Sequence, residues 1–131
     1  MIRIASPLDP QAERTIENII GCGVHVHREL GPGFLEAAYR NAFCLELAFR
    51  KLPFECERPV VVKYRDAPIA RHRLDLVVCK SVIVELKAVR CLEEVHHAQV
   101  LAYLKATGIR VGLVMNFGGA TLRAGLKRIV L

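Results

Sequence analysis

Hydrophobic residues recur every three to four positions in the first third of the chain, a spacing typical of helices that bury one face. The spacing predicts a helix from Asp9 or Pro10 to about Leu30. Gly31-Pro32-Gly33 ends this helix, because proline cannot continue the hydrogen-bond ladder and glycine permits a sharp turn. The same spacing predicts a second helix over residues 35–51.

The pattern after Pro53 changes to the β-branched and aromatic runs that are typical of strands. Helical spacing interrupts these runs once, over residues 93–107, and ends at Gly108, a typical C-terminal cap. Turn-forming residues at Asp66-Ala67-Pro68 and Cys79-Lys80-Ser81 separate the first three runs. The predicted strands are residues 55–64, 69–78, 81–89, 109–117 and about 121–129.

The order of these elements is α-α-β-β-β-α-β-β, without repeats or a low-complexity linker. Three strands joined by short turns form a meander, and the helix after them can cross over to an added strand. We therefore predict a single-domain α/β sandwich with a mixed central sheet, over residues 1–131. A chain of this length can bury a core without disulfides or a structural metal.

Composition narrows the class of protein further. An apolar fraction of 53% argues against disorder and leaves room for the interface of a homodimer. No apolar run approaches the length of a membrane-spanning helix, so no membrane partner is expected. The five cysteines are an odd number without a C-x-x-C pair, which argues against a disulfide framework and a thiolate zinc site. We expect reduced thiols in the cytoplasm.

The charge of the chain is unevenly distributed. The formal net charge is +6, and residues 105–131 contain five basic residues and no acidic one. A basic surface favours a polyanionic partner, nucleic acid first, with Lys63, Arg71 and Arg73 as further contacts to its backbone. No aromatic-rich patch or groove-reading helix is evident, so binding should be largely independent of nucleotide sequence. Charge alone does not identify the partner.

Three charged residues interrupt the apolar runs of the predicted central hairpin: Asp75, Glu85 and Lys87. Side chains alternate along a strand, so Glu85 and Lys87 share one face, and folding about Lys80 brings Asp75 opposite Glu85, within one residue of register. Unpaired buried charges are costly, so such a cluster pairs internally or binds a cation. The residues alone leave both alternatives open, a structural salt-bridge cluster and a divalent-metal site.

The spaced D…E-x-K motif resembles the signature of the PD-(D/E)XK nuclease superfamily, and the rest of the chain resembles its GxxExxY family. The superfamily usually has proline before its first acid, where this chain has Leu74. The similarity runs from about Ile16 to the end of the chain. Its motifs are Gly33-Phe34-Leu35-Glu36-Ala37-Ala38-Tyr39, Arg73-Leu74-Asp75, Val84-Glu85-Leu86-Lys87-Ala88, His97-Ala98-Gln99, Tyr103-Leu104-Lys105-Ala106-Thr107-Gly108 and Gly112-Leu113-Val114-Met115-Asn116-Phe117-Gly118.

The resemblance implies a restriction-endonuclease-like fold and roles for individual residues. Asp75 and Glu85 would hold Mg²⁺, for which Mn²⁺ can substitute, with the backbone carbonyl of Leu86 as a third ligand. Lys87 would orient or activate the attacking water, or stabilise charge on the phosphate. Glu36 would be the acid of the first motif, an additional ligand directly or through water. Magnesium also suits these residue types, because it binds one or two carboxylates and retains several waters.

The predicted third helix offers further candidates. Gln99 and Tyr103 lie four residues apart on it, one turn after His96, so the three share a stripe. The resemblance places Gln99 and Tyr103 at the catalytic site, whereas the residues alone are also consistent with a solvated glutamine and a core tyrosine. Adjacent helical residues point about 100° apart, so His96 and His97 cannot chelate one zinc ion.

Two functional hypotheses follow. The first is a Mg²⁺-dependent nuclease that hydrolyses phosphodiester bonds in nucleic acid, DNA more than RNA. The alternative is a non-catalytic module that binds nucleic acid or protein on the same fold. The intact set of Asp75, Glu85 and Lys87 favours the enzyme, because a decayed site tends to lose one of its residues.

Overall fold

A computed structural model describes residues 7–131, so the predicted domain start at residue 1 lies outside the described residues. The described part follows the predicted order of helices and strands. The helices are α1 (Pro10–Leu30), α2 (Glu36–Phe49) and α3 (Glu94–Thr107). The strands are β1 (Phe54–Tyr64), β2 (Ala67–Val78), β3 (Val82–Lys87), β4 (Val111–Asn116) and β5 (Leu126–Val130).

The five strands form one mixed sheet in the order β1-β2-β3-β4-β5. β3 and β4 are parallel, whereas the other neighbours are antiparallel. α3 supplies the crossover between the parallel strands, because two parallel neighbours need a connection that returns along the sheet. One core cluster lies between the sheet and α1 with α2, and a second lies between the sheet and α3. The predicted α/β sandwich with a mixed central sheet is confirmed.

The helix ends follow from local chemistry. The side chain of Asp9 accepts a hydrogen bond from the backbone N–H of Ala12 over 2.8 Å, which caps the start of α1. Gly108 ends α3 with φ 77°, a left-handed conformation that glycine adopts without a steric cost. The predicted start of α1 at Asp9 or Pro10 and the predicted cap of α3 at Gly108 are therefore confirmed.

The turn between β1 and β2 differs from the prediction. It is formed by Arg65 and Asp66, with φ of 49° and 65°, and Pro68 lies inside β2 rather than in the turn. β3 pairs with β2 only over Leu76–Val78, so the first half of β2 has an open edge. Proline is tolerated at an open edge because no neighbouring strand needs its missing N–H.

The last strand also begins later than predicted. A 3₁₀ turn at Arg123–Gly125 precedes β5, which starts at Leu126 rather than near Thr121. Gly125 passes so close to Asn116 that a Cβ at this position would lie 2.7 Å from the Asn116 carbonyl oxygen. The close approach of the Gly125 and Asn116 backbones determines this turn. The apolar pattern of the segment does not predict such a contact.

Both strands of the β1–β2 hairpin change faces at one position. In β2, Leu74 packs against the α3 side of the sheet, whereas Leu76 packs against the α1–α2 side. In β1, Phe54 and Val60 likewise lie on opposite sides although they are an even number of residues apart. Regular alternation would place each of these pairs on one side. The break lies at Asp75 and Glu57, which the pairing skips between Cys56–Leu76 and Arg58–Leu74, and Glu57 has φ 50°.

Among the described residues, no helix is both long and apolar enough to span a membrane. All five cysteines belong to the described part and are free thiols. Cys22 is buried, Cys56 and Cys91 are exposed, and Cys44 and Cys79 are partly buried.

Candidate active site

Asp75 and Glu85 meet where the β2–β3 ladder stops. The last backbone pair of the ladder is Leu76 with Val84, and the next positions along both strands are the two acids. The backbone N–H of Asp75 donates to Oε1 of Glu85 over 3.0 Å, and the N–H of Leu86 donates to Oδ2 of Asp75 over 2.9 Å. At the next position of the ladder, these N–H groups therefore donate to side-chain carboxylates instead of to backbone carbonyl groups of the neighbouring strand. The predicted apposition of the two acids agrees with this register.

Glu85 is a buried acid with an unusual affinity for its proton. Its residue is only 3% exposed, and its pKa is raised to about 8. Burial is the largest cause, since it penalises the charged form, and the charge of Asp75 is the second. The positive charge of Lys87 acts in the opposite direction. The two carboxylates are therefore close enough that their mutual repulsion matters.

Lys87 lies on the same face of β3 as Glu85, as the strand's alternation requires. In the parallel pairing with β4 it is opposite Asn116. Within residues 7–131, no ion pair joins its ammonium group to Asp75 or to Glu85. Lys87 is half-buried, and its charge is close enough to lower the pKa of Glu85. Its ammonium group thus lies near the two acids without an ion pair to either of them.

Glu36 approaches the acid pair through a residue that the sequence did not single out. Nη2 of Arg40 lies 3.0 Å from Oε1 of Glu36 and 3.9 Å from Oδ1 of Asp75. Nε of Arg40 is buried and has no hydrogen-bond partner in the described part of the chain. The spacing of Glu36 and Arg40 by one helical turn predicts their ion pair. The approach of Arg40 to Asp75 depends on the packing of α2 against the sheet.

The two candidates on α3 are joined to each other. Nε2 of Gln99 donates to the hydroxyl oxygen of Tyr103 over 3.0 Å. Tyr103 is 6% exposed in the core cluster on the α3 side, and burial raises the pKa of its phenol, with the charges of Glu85 and Asp75 as further causes. α3 therefore presents the Gln99–Tyr103 pair on the side of the sheet that carries Glu85.

His96 has a structural partner. The backbone N–H of Glu93 donates to its Nδ1 over 3.0 Å, and the side chain of Glu93 accepts from the N–H of His96, which together form a capping box at the start of α3. His97 lies beside it on the wall of a surface cavity of about 630 Å³ that also contains Lys127. The geometry of this helix start accounts for His96 without any metal.

Tyr39 fixes the loop that carries the first motif. Its hydroxyl donates to the carbonyl oxygen of Gly31 over 2.6 Å and accepts from the N–H of Phe34 over 3.1 Å. Its ring stacks on that of Phe117, with centroids 4.8 Å apart. Gly33 has φ 118° in this loop, a conformation that favours glycine. The glycine and tyrosine of the motif therefore hold the start of α2, where Glu36 lies.

Asn116 secures the chain that leaves β3 after Lys87. It is 2% exposed, donates from Nδ2 to the carbonyl oxygen of Val89, and accepts at Oδ1 from the N–H groups of Val89 and Gly118. Gly118 passes against Val89, and a Cβ would collide with its backbone. The Asn-Phe-Gly part of the last motif thus positions the segment that begins at Lys87. The sequence signal was a polar residue at the end of an apolar strand.

The donor set of the acid pair suits a divalent cation. Each carboxylate gives one oxygen to a backbone N–H, Oε1 of Glu85 and Oδ2 of Asp75. A cation would bind through the second oxygens, of which Oδ1 of Asp75 lies 3.9 Å from Nη2 of Arg40. A bound cation would also offset the repulsion from Asp75, which is the second cause after burial of the raised pKa of Glu85. Within the described chain, no three His, Cys, Asp or Glu side chains converge as a ready-made metal site. Magnesium does not require three, because it retains several waters.

Comparison with known proteins identifies the family. Searches among curated proteins and among solved structures gave no match. A family model described as the PD-(D/E)XK nuclease superfamily matches residues 13–129. These residues include α2, the β2–β3 hairpin with the two acids, α3 and most of β5. The match covers most of the chain and contains Asp75, Glu85 and Lys87 in the order that names the superfamily. The chain belongs to the PD-(D/E)XK nuclease superfamily.

Proposed function

We propose that the protein is a Mg²⁺-dependent nuclease of the GxxExxY family, which hydrolyses phosphodiester bonds in nucleic acid, DNA more than RNA. The observation that carries this proposal is the reciprocal hydrogen bonding of Asp75 and Glu85 with the β2–β3 backbone, beside Lys87, which forms no ion pair with either acid in the described part of the chain. A purely structural cluster would pair Lys87 with one of the acids. Family membership supports the same activity.

Asp75 and Glu85 would hold the metal, with the carbonyl of Leu86 as a further ligand. When bound, Mg²⁺ would polarise the scissile phosphate and lower the pKa of a coordinated water. Lys87 would place its charge against the phosphoryl oxygens, where negative charge increases in the transition state. Gln99 donates to the Tyr103 hydroxyl, and it would orient a water or phosphate oxygen from the α3 side. Glu36 would act through Arg40 or through water.

Basic residues outside the site would hold the nucleic-acid backbone. Lys63, Arg71 and Arg73 are exposed on the β1–β2 hairpin. Arg128 is less available, because its Nη1 lies 2.8 Å from Oε1 of Glu13. If about four phosphates are contacted, log affinity for duplex DNA should fall with log salt at a slope of roughly −3 to −4. Titrations without binding at low salt, or without salt dependence, would remove nucleic acid as the partner.

The test is cleavage of plasmid, linear duplex, single-stranded DNA and RNA in Mg²⁺, Mn²⁺ or EDTA, beside calorimetric Mg²⁺ binding. Asp75→Ala and Glu85→Ala should lose metal binding and turnover. Lys87→Ala should bind metal yet slow single-turnover cleavage by roughly 10² to 10³, the usual effect of losing one transition-state stabiliser. Gln99→Ala should have a smaller effect, since neutral hydrogen bonds contribute less than ionic ones.

Lys80→Asn is the matched control, because it removes an ammonium group from the exposed turn of the same hairpin and asparagine tolerates the φ of 58° at this position. It should cleave like the wild type. Unchanged cleavage in Glu85→Ala would refute the site assignment. A wild-type protein that binds no Mg²⁺ and cuts no substrate would instead favour the non-catalytic binding module.

A further inference from the structure

Two thiols lie side by side where α2 faces the edge strand of the sheet. Sγ of Cys44 and Sγ of Cys56 are 3.3 Å apart. Cys44 is partly buried on α2 and packs against the core between the helices and the sheet, whereas Cys56 on β1 is exposed. Among the cysteines of residues 7–131, this is the one pair whose sulfurs are in contact. The spacing of the cysteines along the chain did not indicate the pair.

We propose that Cys44 and Cys56 form a reversible intramolecular disulfide, so that this pair is an oxidation site of the protein. A disulfide requires a separation of about 2 Å between the sulfurs, so they need to approach by about 1 Å. β1 is an edge strand, paired on one side only, and Glu57 directly after Cys56 already departs from strand geometry with φ 50°. The backbone around Cys56 can therefore adjust without breaking the central strands.

The order of the chemical steps follows from exposure. Hydrogen peroxide, or another small peroxide, reaches Cys56 first. Its thiolate attacks one peroxide oxygen, the oxygen–oxygen bond breaks, and the departing hydroxide takes a proton to become water, which leaves a sulfenic acid. The sulfur of Cys44 then attacks the Cys56 sulfur and the sulfur–oxygen bond breaks. The departing hydroxide takes the proton of the Cys44 thiol and leaves as the second water. Two thiols and one peroxide thus give one disulfide and two waters.

Cys44 suits the second step better than the first. Burial raises the pKa of its thiol to about 12, and the hydrogen bond with Cys56 contributes in the same direction. A thiol reacts as its thiolate, so this thiol is protected from direct attack on peroxide in solution. Its sulfur is nevertheless already in contact with that of Cys56. A dithiol reductant would reverse the bond by two successive exchanges.

The disulfide would join two elements that lie beside the candidate active site. Cys44 lies one helical turn after Arg40 on α2, and Cys56 pairs in the sheet with Leu76, the neighbour of Asp75. A disulfide would therefore fix α2 to the hairpin beside Asp75. It would also close a short loop in the unfolded chain, which should raise the melting temperature by roughly 5 to 10 °C.

The test uses the full chain, treated with hydrogen peroxide, alkylated, digested without reductant and analysed by mass spectrometry. We expect the intact mass to fall by two hydrogen atoms, a peptide pair linked through Cys44 and Cys56, reversal by a dithiol, and the higher melting temperature. Cys56→Ser should lose all four results. Cys91→Ser is the matched control, since Cys91 is exposed and no other cysteine sulfur of residues 7–131 contacts it; it should respond like the wild type.

The peptide map of the wild type decides the question without relying on any variant to fold. Oxidised protein in which Cys44 and Cys56 remain unlinked, with Cys56 as sulfinic or sulfonic acid, would overturn the proposal. Disulfide-linked dimers through Cys91 in place of the internal bond would overturn it too. Neither readout uses cleavage, so the result is independent of the nuclease assignment.

Discussion

The backbone N–H of Asp75 donates a hydrogen bond to the side chain of Glu85, across the gap where a sheet rung would otherwise lie. A backbone N–H group therefore holds one oxygen of each acid. Glu85 is buried and is repelled by the charge of Asp75. The protonation of these acids therefore affects how stable their arrangement is. Four predictions follow from this arrangement and from the residues that support it.

The pKa of Glu85 predicts that the metal-free protein loses stability as pH rises. The unfolded carboxyl group releases its proton near pH 4.5, whereas the folded one retains it to about pH 8. Between these two pKa values the folded protein therefore binds one more proton than the unfolded protein. The free energy of unfolding should therefore fall by up to about 1.4 kcal/mol per pH unit, and level off above the folded pKa.

Denaturant titrations in EDTA across this pH range measure that slope. Glu85→Gln is the control, because it keeps the size of the side chain and cannot titrate. Its free energy of unfolding should depend less steeply on pH than that of the wild type. Equal slopes in the two proteins would show that Glu85 titrates normally.

Removing the charge of Arg40 should strengthen Mg²⁺ binding. Its guanidinium lies 3.9 Å from Oδ1 of Asp75, where it repels a second cation. Arg40→Gln should tighten Mg²⁺ binding by roughly two- to fivefold, the range of weak, partly exposed ion pairs. Arg50→Gln is the control, since Arg50 forms an equivalent pair with Glu46 on the same helix. Calorimetry that shows weaker binding in Arg40→Gln would contradict this.

Asn116→Ala should destabilise the protein by about 2 to 4 kcal/mol. The substitution leaves partly buried backbone groups of Val89 and Gly118 without their partner. The segment after Lys87 should loosen as well, so cleavage should fall along with stability. Asn41→Ala, at an exposed position of α2, should change the free energy of unfolding by less than about 0.5 kcal/mol. Denaturant titration of both variants measures the difference.

Tyr39→Phe should lower the free energy of unfolding by about 1 to 2 kcal/mol. The ring can still stack on Phe117, but the loop at Gly31 and Phe34 loses both hydrogen bonds of the hydroxyl. Tyr64→Phe removes the same atom from an exposed ring and should be nearly neutral. A similar loss in the two variants would mean that the loop does not depend on Tyr39.

The sequence predicted the acid pair because the information lies close together along the chain. Cys79 and Lys80 form a tight turn with φ of 53° and 58°, closed by a hydrogen bond from Ser81 to Val78, and this turn fixes the register that sets Asp75 against Glu85. The alternation of side chains along β3 then places Lys87 on the same face as Glu85. The order of helices and strands was predicted from the local spacing of hydrophobic residues in the same way.

Other parts of the site depend on contacts between distant segments. Arg40 reaches Asp75 only because α2 packs on the sheet, and Asn116 binds a residue 27 positions away. The change of faces at Asp75 is likewise hidden, since the Leu-Asp-Leu pattern is consistent with regular alternation. No local preference specifies these features, because tertiary packing decides them.

The turn at Arg65 and Asp66 lies at the far tip of the β1–β2 hairpin, beyond the position where both strands change faces. β3 pairs only with Leu76–Val78, so the tip is a two-stranded ribbon that the rest of the sheet does not constrain. Lengthening an exposed loop costs little entropy. A reporter peptide inserted between Arg65 and Asp66 would therefore extend into solvent and leave the register of the acids unchanged, which makes this tip an attachment point for a fluorescent label.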